Sequence, residues 1–225
     1  MKINYFIFDF DGVVADTEDV FAKFDCQIIS EYLAKAGFDH TIPYEEMRGL
    51  AGIPGEEKFC RICHNHNIDP EPLAESFTKE RTKRRKSLFE NHPVSLGKNL
   101  RQFLAQIDGR FALATNKEKH KLDNDIKVMG VDALFPTMVS CDPPLRRKPE
   151  PDVIIEAMKR LNAQPKKCAY IGDNVSDIKA AIAANVTPIG FVIDSVIDKE
   201  AHGTKLKDAG AAMIISDFTD LLPYK

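Results

Sequence analysis

Apolar residues recur along this chain in two rhythms, and the change between them divides it into segments. Ile3 and Tyr5-Phe6-Ile7-Phe8 form a short β-prone run that stops at Asp9 and predicts a buried strand. From about Thr17 to Ala36, Val20, Phe21, Phe24, Ile28, Ile29, Tyr32 and Leu33 return at three- and four-residue steps, the spacing of one helix face. Gly37 is placed to cap that helix. Met47 to Gly55 carries three glycines and Pro54, which predicts a shaped turn and no helix interior. Glu56 to about His66 and Pro72 to about Phe89 read as two more helices, separated by Asp69-Pro70. Residues from about 16 to 90 therefore read as all-helical.

From Leu96 onward helices and strands alternate. Leu100 to Ile107 reads as a helix, Phe111–Ala114 as a strand, Glu118–Met129 as a helix ending at Gly130, and Thr137–Ser140 as a short strand. Pro151 opens a helix to about Leu161, as expected for proline at an early helical position. Cys168–Ile171, Pro188–Ile193 and Met213–Ile215 read as strands, with helices at Ser176–Ala184 and near Lys199–Ala209 between them. This alternation implies a mostly parallel sheet covered on both faces, with a helical insertion after its first strand.

Composition narrows the class. The 225 residues suffice for one large domain or one domain with an inserted second, and 44% hydrophobic with 29% charged residues is ordinary for a globular protein. A net charge of −3 implies no general affinity for nucleic acid. Five cysteines, scattered without a framework, point to a reducing cytoplasm. The first apolar run is cut by Asp9 after a few residues, too soon for a signal peptide or a membrane span.

The chemistry begins where that run ends. Asp9 and Asp11 stand two apart in extended chain, so both carboxylates can face one ligand at the carboxyl end of a strand. Two close carboxylates need a positive partner, and a divalent cation held by oxygens is the simplest. An acidic turn with Asp11-Gly12 as its turn pair is the plainer alternative. An EF-hand fails on spacing, because Gly12 follows the second aspartate directly. Further along, Thr115, Lys148, Asp173 and Asp177 also stand at or just after predicted strand ends. In a parallel sheet those ends converge on one edge. Carboxylates, a hydroxyl and an ammonium in one place suit phosphoryl transfer: a nucleophile, an acid/base, and groups that offset developing charge.

The chain resembles the haloacid dehalogenase superfamily, in its branch of small phosphatases and phosphomutases with a helical cap. Four motifs in the family's order carry the resemblance: Asp9-Phe10-Asp11-Gly12-Val13-Val14-Ala15-Asp16-Thr17-Glu18, Leu113-Ala114-Thr115-Asn116, Lys148-Pro149-Glu150-Pro151-Asp152, and Ile171-Gly172-Asp173-Asn174-Val175-Ser176-Asp177. It implies a Rossmann-like parallel-sheet core from residues 1–15 and 91–225 and a helical cap from 16 to 90. It implies Asp9 as nucleophile and Mg²⁺ ligand, and Asp11 as general acid/base with its carbonyl also on the metal. Thr115 and the amide of Asn116 would bind the phosphoryl group, and Lys148 would neutralise Asp9 and the phosphate. Asp173 would be a further Mg²⁺ ligand, with Asp177 a nearby or alternative one. An acid at position 11 favours phosphate chemistry, since members that cleave carbon–halogen bonds lack it.

Three departures stand out. Arg147 replaces a usual glycine before the motif lysine, Asn185 replaces a glycine after the fourth-motif helix, and Phe21 stands where the related mutases carry a hinge histidine. The last tilts the reading from mutase to phosphatase. The glycine-rich turn holding Arg48 resembles the family's cap loop that faces the active site, which makes Arg48 a substrate-binding candidate. Cys60-Arg61-Ile62-Cys63-His64 matches a haem-attachment pattern and, with His66, a zinc half-site, but it lies on an amphipathic helix and reads better as buried small residues. The basic run from Lys79 to Lys86 reads as a solvated helix face, with attraction of phosphate as the alternative. The expectation is a Mg²⁺-dependent phosphatase acting on a small phosphorylated metabolite. A hexose-phosphate mutase and a non-catalytic binding protein that keeps the fold are the alternatives.

Overall fold

The computed structural model describes residues 2–38, 41–50, 53–107 and 110–225, and the chain divides into two compact units. One unit comprises Met1–Asp16 and Val94–Lys225, the other Thr17–Pro93.

The chain enters the first unit through β1 (Tyr5–Phe8) and passes into the second, which is helical throughout: α1 (Glu18–Lys35), α2 (Tyr44–Arg48), α3 (Gly55–Asn65), α4 (Glu71–Arg85) and α5 (Leu88–Asn91). It then returns through α6 (Leu100–Leu104), β2 (Phe111–Ala114), α7 (Lys119–Val128), β3 (Met138–Val139), α8 (Asp152–Arg160), β4 (Cys168–Gly172), α9 (Val175–Ala183), β5 (Thr187–Phe191), α10 (Lys199–Asp208) and β6 (Met213–Ile215). A 3₁₀ segment, Phe218–Tyr224, closes it.

The six strands form one sheet in the order β3-β2-β1-β4-β5-β6, and every neighbouring pair is parallel. Alternation along each strand builds two cores. Phe6, Phe8, Leu113, Ala169 and Ile171 point to one face, where they meet Leu122 and Ile126 of α7, Phe103 of α6 and Phe218. Ile7, Ala112, Ala114, Cys168 and Tyr170 point to the other, against Val153, Ile154, Ala157 and Met158 of α8 and Ala180 and Ala181 of α9. Burial on both faces is why these strands read as continuous apolar runs. The first face is rich in rings: Phe8 lies edge-on to Phe135 at 5.9 Å and to Phe218 at 5.6 Å, and Phe218 stacks on Phe191 at 4.5 Å. Each such pair adds about 0.5–1.5 kcal/mol beyond its buried area.

The helical unit has its own core, centred on Phe59 stacked on Phe77 at 4.1 Å with Tyr32 edge-on to both. Beside it lies a buried charged group. Asp25, fully buried on α1, pairs with Lys58 at 3.1 Å and Arg81 at 2.8 Å. Cys63, from the Cys-x-x-Cys-His stretch, packs within this core.

Two elements differ from the expectation. Met47 and Arg48 lie in the short helix α2, ended by Gly49, whereas a turn was expected; Ala51 and Gly52 of that stretch fall outside the described residues. The long helix expected from Pro72 to Phe89 breaks at Lys86-Ser87 into α4 and α5. The break turns Leu88 and Phe89 into buried positions, and Phe89 packs edge-on to Phe21 at 5.5 Å. The basic run is not a plain solvated face. Arg81 is committed to Asp25, Arg84 pairs with Glu31 and Glu80, and the Arg85 guanidinium lies 5.5 Å from the Phe21 ring.

Candidate active site

The carboxyl ends of β1, β2 and β4, with the loop after β3, carry the polar residues singled out from the sequence. β1 ends at Phe8, and the next residue, Asp9, still donates its backbone N–H to Ile171 of β4 at 2.9 Å, so its carboxylate leaves the sheet at the strand end. The chain then folds back sharply. Gly12 N–H donates to the Ala15 carbonyl at 2.8 Å and Ala15 N–H to the Phe10 carbonyl at 2.9 Å. Gly12 has φ +73°, and a Cβ there would stand 2.1 Å from Asp173 Oδ2, so both the turn and the approach of Asp173 require glycine. Asp16 anchors the end of the loop by accepting hydrogen bonds from the Ser195 N–H and hydroxyl.

On the neighbouring side of β1, Asp173 follows β4, and Asp177 stands at the third position of α9. Asn174 and Asp177 form a reciprocal capping box, with the Asn174 N–H donating to Asp177 Oδ2 at 2.9 Å. A Cβ on Gly172 would come within 2.2 Å of the Asp177 Cβ, so that glycine too makes room for a site residue.

Lys148 is the hub. Its ammonium is buried and reaches three acceptors: Asp177 Oδ1 at 2.7 Å, the Tyr170 hydroxyl at 2.8 Å and Asp9 Oδ2 at 2.9 Å. Burial alone would drive this ammonium's pKa down, but Asp177 and Asp9 outweigh it and hold it well above its ordinary range. Burial acts the other way on Asp9. It pushes the carboxyl up to about 6 against the opposing pull of Lys148, with Asp177 and Asp11 adding to the rise. Tyr170, held on β4, donates its hydroxyl hydrogen bond to the Ala114 carbonyl at 2.8 Å and so links Lys148 to the end of β2. Burial first, and Asp9 next, raise the Tyr170 hydroxyl well above its usual pKa, so it stays a donor.

Asp9, Asp173 and Asp177 are all buried and each offers a carboxylate oxygen within 4.8 Å of the others. Asp9 Oδ1 is buried and takes no hydrogen bond among the described residues. A bare carboxylate oxygen in that position is costly unless something positive meets it. Three carboxylates grouped this closely offer the hard oxygen ligands that suit a divalent cation of the Mg²⁺ kind. Asp11 is 26% exposed in its side chain and lies 2.9 Å from the Lys117 ammonium.

Thr115 is buried directly after β2, its N–H bonded to the Val139 carbonyl. The Asn116 side chain is engaged elsewhere than a ligand: its Oδ1 accepts from the Lys148 N–H at 2.7 Å, and its Nδ2 donates to the Lys148 carbonyl at 3.4 Å. It thus holds the backbone of the lysine loop. Arg48 belongs to the helical unit, as the last residue of α2. Three residues of the site escaped the reading of the sequence: Tyr170, Lys117, and Asp125 of α7, whose carboxylate lies 2.6 Å from the Lys117 ammonium. A tyrosine inside an otherwise apolar strand was the available signal for Tyr170. Lys117, next to the Thr-Asn pair, offered adjacency alone.

The haloacid dehalogenase-like hydrolase family profile matches residues 6–191. A phosphorylated carbohydrates phosphatase of Thermotoga maritima is 26% identical over 216 residues, covering 93% of this chain and 92% of that protein. A phosphoglycolate phosphatase of Colwellia psychrerythraea is 31% identical over 113 residues, 50% of this chain and 48% of that one. Among solved structures, a protein described as a β-phosphoglucomutase of Thermotoga maritima superposes with a TM-score of 0.76 over 99% of both chains at 24% identity, a likeness of fold. With the profile spanning most of its length and the profile's strand ends meeting at one cluster of carboxylates and a buried lysine, the chain belongs to the haloacid dehalogenase-like hydrolases.

Proposed function

We propose that this chain is a Mg²⁺-dependent phosphatase that hydrolyses a small phosphorylated metabolite through an aspartyl-phosphate at Asp9. The observation that carries the reading is the state of the Asp9 carboxylate. One oxygen is bound to Lys148 at 2.9 Å, the other is buried with no hydrogen bond among the described residues, and the carboxylate is grouped with those of Asp173 and Asp177. That is a carboxylate held still with one oxygen kept available.

Asp9, Asp173 and Asp177 would hold the cation, which supplies positive charge so that an anionic nucleophile can meet an anionic phosphoryl group. The chain's own residues do the rest. A carboxylate oxygen of Asp9 attacks phosphorus while the bond from phosphorus to the leaving oxygen breaks. Asp11 gives that oxygen its proton, then takes a proton from the water that attacks the aspartyl-phosphate, returning Asp9 and releasing phosphate. Lys148 offsets charge on Asp9 and on the transferring oxygens, and the Thr115 hydroxyl, just after β2, would bind them.

Phosphatase is preferred to mutase because position 21 carries a phenyl ring packed against Phe89 and Arg85, with no group there that can move a proton. The names of the relatives set the panel of substrates: phosphorylated carbohydrates, phosphoglycolate and, from pyrophosphatase relatives such as that of Anoxybacillus flavithermus, pyrophosphate. Five free cysteines support a reducing compartment such as the cytoplasm, and no helix among the described residues is long and apolar enough to cross a membrane.

The test is phosphate release from that panel with Mg²⁺, with EDTA, and with Asp9→Asn. Release that disappears with EDTA and in the variant is the expected result. Release that survives either one overturns the mechanism. Interconversion of hexose phosphates with a bisphosphate primer, and no net release, would make the chain a mutase.

A further inference from the structure

Asp9 and Asp11, the first two aspartates of the first motif, are paired to different lysines: Asp9 to Lys148, and Asp11 to Lys117 at 2.9 Å. The ammonium of Lys117 is also 2.6 Å from Asp125 Oδ2, and the Asp125 side chain, on α7, is fully buried. Lys117 is itself only 6% exposed in its side chain and lies 4.6 Å from the centre of the Phe10 ring, the residue between the two aspartates. Its backbone is tied as well: the Cys141 N–H donates to the Lys117 carbonyl at 2.9 Å, and the Lys117 N–H donates to Thr115 Oγ1 at 3.3 Å. A long, flexible side chain is thus held from below, from the side and along its backbone. Asp125 already balances its charge, so a partner for charge alone is not what brings the ammonium on to Asp11.

We propose that Lys117, braced by Asp125 and Phe10, is a positioning residue that sets the place of the Asp11 carboxylate for the hydrolysis of the aspartyl-phosphate. The proposal rests on the phosphatase reading. In that step the water oxygen attacks phosphorus, the bond between phosphorus and Asp9 breaks, the water proton passes to Asp11, and phosphate and the Asp9 carboxylate are released. A carboxylate displaced by about 1 Å costs on the order of a hundredfold in such a step. The step that forms the aspartyl-phosphate from p-nitrophenyl phosphate needs no proton, because p-nitrophenolate leaves as the anion.

The test uses p-nitrophenyl phosphate, Mg²⁺ and the full chain. Lys117→Met alone leaves Asp125 buried without its ion pair and can fail to fold. The double variant Lys117→Met/Asp125→Leu replaces the pair with apolar side chains and is the primary probe, its fold checked by circular dichroism and melting. The expected result is a kcat lowered about 30- to 100-fold, a kcat/KM within about threefold of the wild type, and a burst of about one equivalent of p-nitrophenolate per protein. A structural role would lower both parameters together. An equal fall in kcat and kcat/KM overturns the proposal, and so does an unchanged kcat without a burst. Should the wild type match Asp9→Asn on this ester and on the metabolite panel, it is the phosphatase reading that has failed, and the proposal goes with it.

Discussion

A single hydroxyl shows how tightly the site is specified at the residue scale. The Lys148 ammonium donates to the Tyr170 hydroxyl and is ion-paired with Asp9 and Asp177. Tyr170→Phe removes one acceptor from a buried ammonium and one donor from the Ala114 carbonyl. We expect about 1–3 kcal/mol of lost stability in urea unfolding, the usual cost of orphaning buried polar groups. We also expect kcat to fall about tenfold, because a lysine freed to rotate no longer holds Asp9 in one place. An unchanged kcat would mean that the two carboxylates suffice. Asp9 itself carries the opposite cost. Its pKa is raised above that of an unfolded aspartate, so between pH 4 and about 6 the folded state holds the extra proton and stability declines as pH rises. Asp9→Asn removes a buried charge, so in EDTA at pH 7.5 it should melt at or above the wild type, by about 2–4 °C per kcal/mol gained, although it is inactive. A lower melting temperature in EDTA would show that the Lys148 pair outweighs the burial.

At the scale of elements, the site depends on how segments end. The loop after β1 turns because Gly12 adopts φ +73° and has no Cβ to strike Asp173. Gly12→Ala should therefore cost at least about 1–2 kcal/mol from the left-handed backbone alone and should lower Mg²⁺ affinity by displacing Asp173. Isothermal titration with Mg²⁺ checks the second part, and unaltered affinity would refute it. Far from the site, Asp217 caps the 3₁₀ segment that inserts Phe218 between Phe8 and Phe191. Burial would raise its carboxyl, but hydrogen bonds from the Thr219 hydroxyl and N–H and from Asn99, with Lys98 adding, bring it down to about 2. A depressed carboxylate stabilises the fold above its unfolded pKa, and that contribution is lost as pH falls towards 2. The stability gap between wild type and Asp217→Asn should accordingly be widest above about pH 4 and close towards pH 2. Urea midpoints across that range read it, and a gap independent of pH would assign the effect to packing.

For the molecule as a whole, the grouped carboxylates of Asp9, Asp173 and Asp177, with one buried lysine paired to Asp9 and Asp177, leave an excess of negative charge at the strand ends. A ligand that binds only the folded state stabilises it by mass action, by about 2.7 kcal/mol at a hundred times its dissociation constant. Mg²⁺ should therefore raise the melting temperature of the wild type and raise that of Asp173→Asn far less. Equal shifts in both would place the cation elsewhere. The alternation of apolar runs and helical stripes, read along the chain, was enough for the α/β class, the parallel sheet and most element positions, because the periods of 2 and 3.6 residues are local properties of the backbone. It also put Asp9, Thr115 and Asp173 at strand ends, because an apolar run stops where a polar residue must leave the sheet. Local pattern failed where a contact between distant segments decided the outcome. The break between α4 and α5 follows from the packing of Phe89 on Phe21, 68 positions apart in sequence numbering (89 − 21), and Met47 and Arg48 are helical in a stretch rich in turn residues. The pairing of Lys117 with Asp11 joins residues separated by 106 positions, and Tyr170 reaches Ala114 across 56. A side chain's type and its place on a strand or helix are written in its own neighbourhood. Its partner is chosen only when the sheet order brings β1, β2 and β4 side by side, and in this protein that ordering pairs Asp9 with Lys148 and Asp11 with Lys117.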